Sequence, residues 1–275
     1  MENKMNSNKV LVFDVKGNFG FFKTPEGTRT PISFPFTRTS LIGLIGAILG
    51  EERNSYWINN HPLAEADIAI QIMKEIHHTN LKVNYIQTKG LVSASRGNIK
   101  PYTSKLKRGF VTAVNLDLLR DVHYRIYFKS DDSDLYNRLK EYLQKSWCHY
   151  PPYLGHANLL ADVIYKGEYS LKTMKGEQIK ISSIIGISQI DKEIQGLLQS
   201  RITIVMGIPI KANVIKSKGN LKLISTEKDD FILLNPSDQP LTIKLNEETL
   251  AYQIDNDEKT QIVFLPTTNI NNENN

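Results

Sequence analysis

The sequence predicts an α+β fold: a ferredoxin-like core with an inserted β arm, followed by a smaller β-rich C-terminal part. Three observations predict it. The first ~165 residues read in the order strand, helix, strand, strand, helix, strand, the order of a ferredoxin-like sandwich. An acid-free stretch between the two middle strands is too long for a hairpin loop, which normally takes two to five residues, and reads as a protruding arm. After Gly167 the helical signal nearly vanishes.

In chain order, Val-Leu-Val-Phe-Asp-Val at 10–15 is short, β-branched and mostly apolar, as expected of a central strand. A loop over 16–37 follows, carrying glycines, prolines and five phenylalanines, with Lys23, Arg29 and Arg38 toward its far end and only Glu26 opposing them. Thr39 or Ser40 is then expected to cap a helix running to about Arg53, through Leu-Ile-Gly-Leu-Ile-Gly-Ala-Ile-Leu-Gly. Apolar nearly all round, that helix must be buried. Gly43, Gly46 and Gly50 recur at helical spacing, each costing roughly 1 kcal/mol against alanine, which implies close approach by another backbone, a sheet or a strand of RNA.

Ala66, Ile68, Ile70 and Ile72 alternate with other residues, as do Val122, Tyr124, Ile126 and Phe128, the period of half-buried strands. Between them, 76–116 contains no Asp or Glu, while Lys82, Lys89, Arg96, Lys100, Lys105, Lys107 and Arg108 give it a local charge of +7. Ser130 and Asp131 open a second expected helix to about Lys145, ended by Pro151-Pro152, and 159–165 reads as a further strand. Short β-type runs recur at 179–187, 201–210, 221–225, 231–234 and 261–265, with a short helix at 189–199. The expected division is a core over 1–166 with its arm at about 77–116, a β-rich part over 167–266, and a polar tail over 267–275 that frays.

Composition narrows the function classes. The chain has 275 residues, 40% hydrophobic and 23% charged, an ordinary globular balance. Cys148 is the only cysteine, which rules out a disulfide framework or a cysteine-based zinc cluster within one chain and fits a reducing cytoplasm. No apolar run approaches the ~18 residues of a membrane span, so no membrane role is expected. The net charge of +5 is unevenly placed: 227–259 holds nine acidic residues against three lysines, so the basic surface belongs to the N-terminal half.

An acid-free arm that also carries Tyr85, Tyr102 and Phe110 offers phosphate partners together with flat rings for unpaired bases, the chemistry of single-stranded RNA binding. The expected RNA-binding residues are therefore Lys23, Arg29, Arg38, Lys89, Arg96, Lys100, Tyr102, Lys105, Lys107 and Arg108. His77-His78, Cys148-His149 and His156 invite a metal or catalytic reading. Adjacent histidines point oppositely on a strand, however, and neither a nucleophile motif nor a phosphate-binding Gly-Lys-Ser/Thr loop is present, so no metal and no cofactor are expected.

Four stretches together resemble the Cas-five family, RAMP-superfamily subunits of CRISPR type I Cascade complexes, most closely the I-B-like branch. They are Val-Leu-Val-Phe-Asp-Val-Lys-Gly at 10–17, Pro-Ile-Ser-Phe-Pro-Phe-Thr-Arg-Thr-Ser at 31–40, Leu-Ile-Gly-Leu-Ile-Gly-Ala-Ile-Leu-Gly at 41–50, and Pro-Tyr-Leu-Gly at 152–155 leading to Leu-Ala-Asp-Val at 160–163. The resemblance covers most of the first ~165 residues. It implies an RRM-like core that grips the 5′ handle of the CRISPR RNA, with a thumb where the arm sits. It also implies contact with the backbone subunit and the large subunit, and with target DNA indirectly through the guide. One branch of the family is a metal-independent repeat endoribonuclease using tyrosine, lysine and histidine. Tyr102 with Lys100, or His149 with Tyr150, imitates parts of that cluster without forming its motif, so a non-catalytic subunit is the expectation and endoribonuclease the alternative.

Overall fold

The structure is a computed structural model that describes residues 8–22, 36–58, 60–86, 111–175, 178–191, 203–217, 220–255 and 257–267. It is mostly antiparallel sheet with few helices. The strands are β1 (Lys9–Gly20), β2 (Asp67–Ile72), β3 (His77–Ile86), β4 (Val111–Lys129), β5 (Asp162–Met174), β6 (Ile179–Ile181), β7 (Ile185–Gly186), β8 (Thr203–Ser217), β9 (Asn220–Leu233), β10 (Leu241–Ile243), β11 (Ala251–Ile254) and β12 (Asp257–Val263). The helices are α1 (Arg38–Leu49), the single turn α2 (Pro62–Glu65) and α3 (Ser133–Gln144).

One seven-stranded sheet runs β12-β11-β5-β1-β4-β2, with β3 on the remaining length of β4. β4 serves two neighbours in succession: Tyr124 to Lys129 pair with β2, and Val111 to Arg120 pair with β3. Two small sheets, β10-β6 and β7-β9-β8, complete the chain. β5 runs through residues 166 and 167, and strands from both sides of that point share the large sheet.

Both faces of β1 are covered, which is why it reads as a continuous apolar run rather than an alternating one. Leu11, Phe13 and Val15 join Leu41, Ile42 and Ile45 of α1 and Leu135 and Leu139 of α3 in one core. Val10 and Val12 join Tyr127, Ile254, Ile262 and Phe264 in a second core on the other face, closed by β11 and β12. The first core also takes Ile184, Ile208, Ile210 and Phe231, so β8 and β9 pack at their bases against the N-terminal half.

The helices begin and end differently from the sequence expectation. Thr37, in extended conformation, caps α1 by accepting the Ser40 N–H at 3.2 Å, two residues before Thr39 and three before Ser40, the expected caps. Gly50, with φ 81°, ends the helix before Arg53. Asp132 rather than Ser130 or Asp131 caps α3, accepting the Leu135 N–H at 2.7 Å. The glycine stripe of α1 faces side chains, not a backbone or RNA: a Cβ at Gly46 would lie 3.0 Å from the Tyr56 ring and one at Gly43 3.3 Å from its hydroxyl. The runs at 221–225 and 231–234 belong to one strand, β9. Of the short helix expected at 189–199, residues 192–199 lie outside the described residues.

Candidate nucleic-acid interface

Of the ten expected RNA-binding residues, only Arg38 falls among the described residues. Lys23 and Arg29 lie in 23–35, and Lys89, Arg96, Lys100, Tyr102, Lys105, Lys107 and Arg108 lie in 87–110, both outside them. Arg38 is a correction: it is 1% exposed and cannot reach a phosphate. Its Nη1 donates to the Ile210 carbonyl at 2.9 Å, and its Nη2 to the carbonyls of Ala64 at 2.7 Å and Ala66 at 3.0 Å. Placed in the first turn of α1, the guanidinium stitches α2 and β8 together. Burial pulls its pKa down to about 10 against the opposing pull of Glu65 and Asp67, which still leaves it charged at neutral pH.

The described residues flank 23–35 on both sides. Phe22 enters it and Phe36 leaves it, their rings 5.0 Å apart, and Phe36 packs on Tyr124 at 5.4 Å. The Pro-Tyr-Leu-Gly motif at 152–155 clasps the exit of β1. Phe21 N–H donates to the Leu154 carbonyl at 3.0 Å, Leu154 is fully buried against Gly17, and Gly155, at φ 82°, lies so close that a Cβ there would be 1.9 Å from the Phe21 carbonyl oxygen. Only glycine fits that backbone. Two of the stretches that carried the resemblance are thus one local structure.

The stem of the expected arm is the β3–β4 ladder, in register from His77↔Arg120 to Ile86↔Val111. Its outer end delivers residues 87–110. Asp117 on β4 lies 3.1 Å from His78 Nδ1, a cross-strand partner that reading along the chain could not pair. Among the described residues no group of three His, Cys, Asp or Glu side chains could hold a metal ion.

A second cluster, not anticipated from sequence, lies on the sheet face opposite the helices. Asp14, 1% exposed, accepts from Arg125 Nε at 2.8 Å and Nη2 at 3.3 Å, lies 3.0 Å from His123 Nε2 and 3.4 Å from Lys166 Nζ. Lys16 is the cross-strand partner of His123. Burial would raise the Asp14 carboxyl, but the hydrogen bonds and charges of Arg125 and His123 override it and hold the group below the usual carboxylate range. Burial, joined by the charges of Lys16 and Arg125, pushes His123 below the ordinary histidine value despite Asp14. A neutral His123 facing an ionised carboxylate donates from Nε2 and leaves Nδ1 to accept. Two cations, Arg125 and Lys166, and the neutral His123 ring then meet one buried carboxylate. The signal in sequence was the off-phase set, His123 and Arg125 between Val122, Tyr124 and Ile126, with Asp14 alone in an apolar run.

No family model matches the chain, and no curated protein matches it. Solved structures of CRISPR-associated proteins do. A structure described as a Cas protein is 16% identical with a TM-score of 0.33, and the match spans 54% of this chain and 57% of that one, little more than half its length. A component of a CRISPR RNA-guided surveillance complex is 9% identical over 96% of each chain, with a TM-score of 0.43. A CRISPR protein from Archaeoglobus fulgidus is 11% identical over 93% of this chain and 99% of its own, with a TM-score of 0.49.

Proposed function

We propose that this chain is a Cas-five-type subunit of a CRISPR–Cas effector complex, a type I Cascade of the I-B-like branch. It binds the 5′ handle of the CRISPR RNA, helps assemble the surveillance complex for antiviral defence, and acts in the cytoplasm without a cofactor. Its protein neighbours are the backbone subunit and the large subunit, and it meets target DNA through the guide.

The observation that carries this reading is the clasp. The 10–17 and 152–155 stretches, 135 residues apart between Gly17 and Pro152, interlock at the exit of β1, just before Lys23 and Arg29 in the chain. The topology supports it further. The order β5-β1-β4-β2, with α1 and α3 on one face, favours a ferredoxin-like (RRM-like) reading of the core, with β3 and the first half of β4 as the base of the proposed thumb. The opposite face carries Lys16, Arg125 and Lys166, and cations there attract phosphates.

Titration of the pure protein with a single-stranded handle RNA at several salt concentrations tests it. Replacing Arg96, Lys100, Lys105 and Arg108 together is expected to weaken binding and lower the log–log salt slope by about three, roughly 0.7 for each single-strand phosphate that is no longer neutralised. An unchanged slope sinks the arm's role. Incubation with repeat RNA in chelator reports on the endoribonuclease alternative: RNA left intact keeps the binding reading, and cleavage that His149→Ala abolishes replaces it.

A further inference from the structure

The β8–β9 ribbon stands clear of the body. Beyond Ala212 on β8 and before Asp229 on β9 no described residue is buried, so about 16 Å of two-stranded ribbon projects, at 3.3 Å per residue. The sequence over 194–226 contains no Asp or Glu, a second acid-free stretch inside the half of the chain that is otherwise acidic. Lys211 turns back to Glu65 at 3.3 Å, whereas no described carboxylate pairs with the exposed Lys216 or Lys222. The ladder sets Val214 opposite Leu223, Lys216 opposite Leu221 and Ile215 opposite Lys222, so each side of the ribbon carries one lysine beside aliphatic groups. A bulge after Asn213 leaves Ile224 out of the pairing and 60% exposed, with Leu223 at 50% and Ile215 at 46%.

We propose that the distal half of this ribbon is a second nucleic-acid contact, one for double-stranded DNA. Lys216 and Lys222 meet phosphates while Ile215, Leu223 and Ile224 lie against the apolar parts of the groove. The single sign of charge selects a polyanion. No aromatic residue occurs between 203 and 230, so unpaired bases find no ring to stack on, in contrast to the first arm. A two-stranded ribbon fits the B-form major groove, about 12 Å wide, and not the narrow A-form groove of duplex RNA. This site is independent of the handle-binding surface.

The test uses the full chain and fluorescence anisotropy with a DNA duplex of about 20 base pairs, in parallel with single-stranded RNA and an RNA duplex. Lys216→Glu/Lys222→Glu is expected to lower DNA-duplex affinity about tenfold near 0.1 M salt and its salt slope by about two, leaving single-stranded RNA affinity unchanged. An unaltered chain that binds the DNA duplex but not the single-stranded RNA would strike the handle reading and leave this one standing. Unchanged DNA affinity, or an equal loss on all three probes, overturns the proposal. So does a Leu223→Ser/Ile224→Ser variant that keeps full DNA affinity yet fails to co-purify with co-expressed complex subunits, because the ribbon is then a protein-docking surface.

Discussion

Asp14 and Arg125 sit directly opposite one another in the β1–β4 ladder, and the guanidinium meets the buried carboxylate at two points, 2.8 and 3.3 Å. Removing one member of such a group leaves its partners' charges uncompensated. Asp14→Asn is therefore expected to cost about 2–3 kcal/mol, discounted from a fully buried pair because Arg125, His123 and Lys166 keep some water. Urea unfolding at neutral pH measures it. The folded carboxyl titrates below its unfolded value of 3.8, so its contribution is complete above that pH and is lost as pH falls through the folded value. The acid-induced loss of stability should be shallower in Asp14→Asn, and curves of equal steepness would count against the cluster.

His123 supplies a second titration. Its folded pKa lies below the ordinary 6.5, so the unfolded chain binds the proton first, and stability falls as pH drops from about 6.5 through the folded value. Its imidazole resonances are expected to titrate below 6.5, and lower still in Asp14→Asn, where Lys16 and Arg125 remain without the carboxylate. An upward move in the variant would show that Asp14 does not face the ring.

Gly155 and Gly207 share left-handed backbone, φ 82° and 68°, but not surroundings. A Cβ at Gly155 would lie 1.9 Å from the Phe21 carbonyl oxygen, whereas at Gly207 the nearest atom is the flexible end of Lys228 at 3.9 Å. Gly207→Ala should cost about 1–2 kcal/mol, the conformational term alone. Gly155→Ala should cost about 3 kcal/mol or more and weaken handle-RNA binding, because the clasp at the exit of β1 must open. Thermal unfolding of the two variants side by side checks the ranking.

Arg38→Lys tests the structural role of a residue whose position in the sequence suggests phosphate binding. A lysine ammonium cannot reproduce a fork that reaches Ile210, Ala64 and Ala66 from two nitrogens, so a loss of about 2–3 kcal/mol is expected. The salt slope of RNA binding should stay unchanged in the folded variant. In Arg38→Gln, which removes the charge, a slope lower by about 0.7 in protein that still folds would return Arg38 to the interface.

Periodicity by itself determined much of this protein. The apolar run at 10–15 and the alternation at 66–72 and 122–128 placed β1, β2 and β4, because alternation and burial are written locally along a strand. Glycine and proline punctuation located α1 and α3 to within a turn; their caps differed because Thr37 and Asp132 take the extended conformation that lets a side chain bond the first turn. Tertiary structure alone decided the rest. Whether an arginine meets solvent or three carbonyls depends on which strand crosses above it, and β8 lies 172 residues from Arg38 in the chain. The Asp14 cluster draws on β1, β4 and β5, and the glycine at 155 is required by a carbonyl at 21, so both exist only through pairings of distant segments. Sequence records which side chains a strand carries; register and packing choose which of them meet.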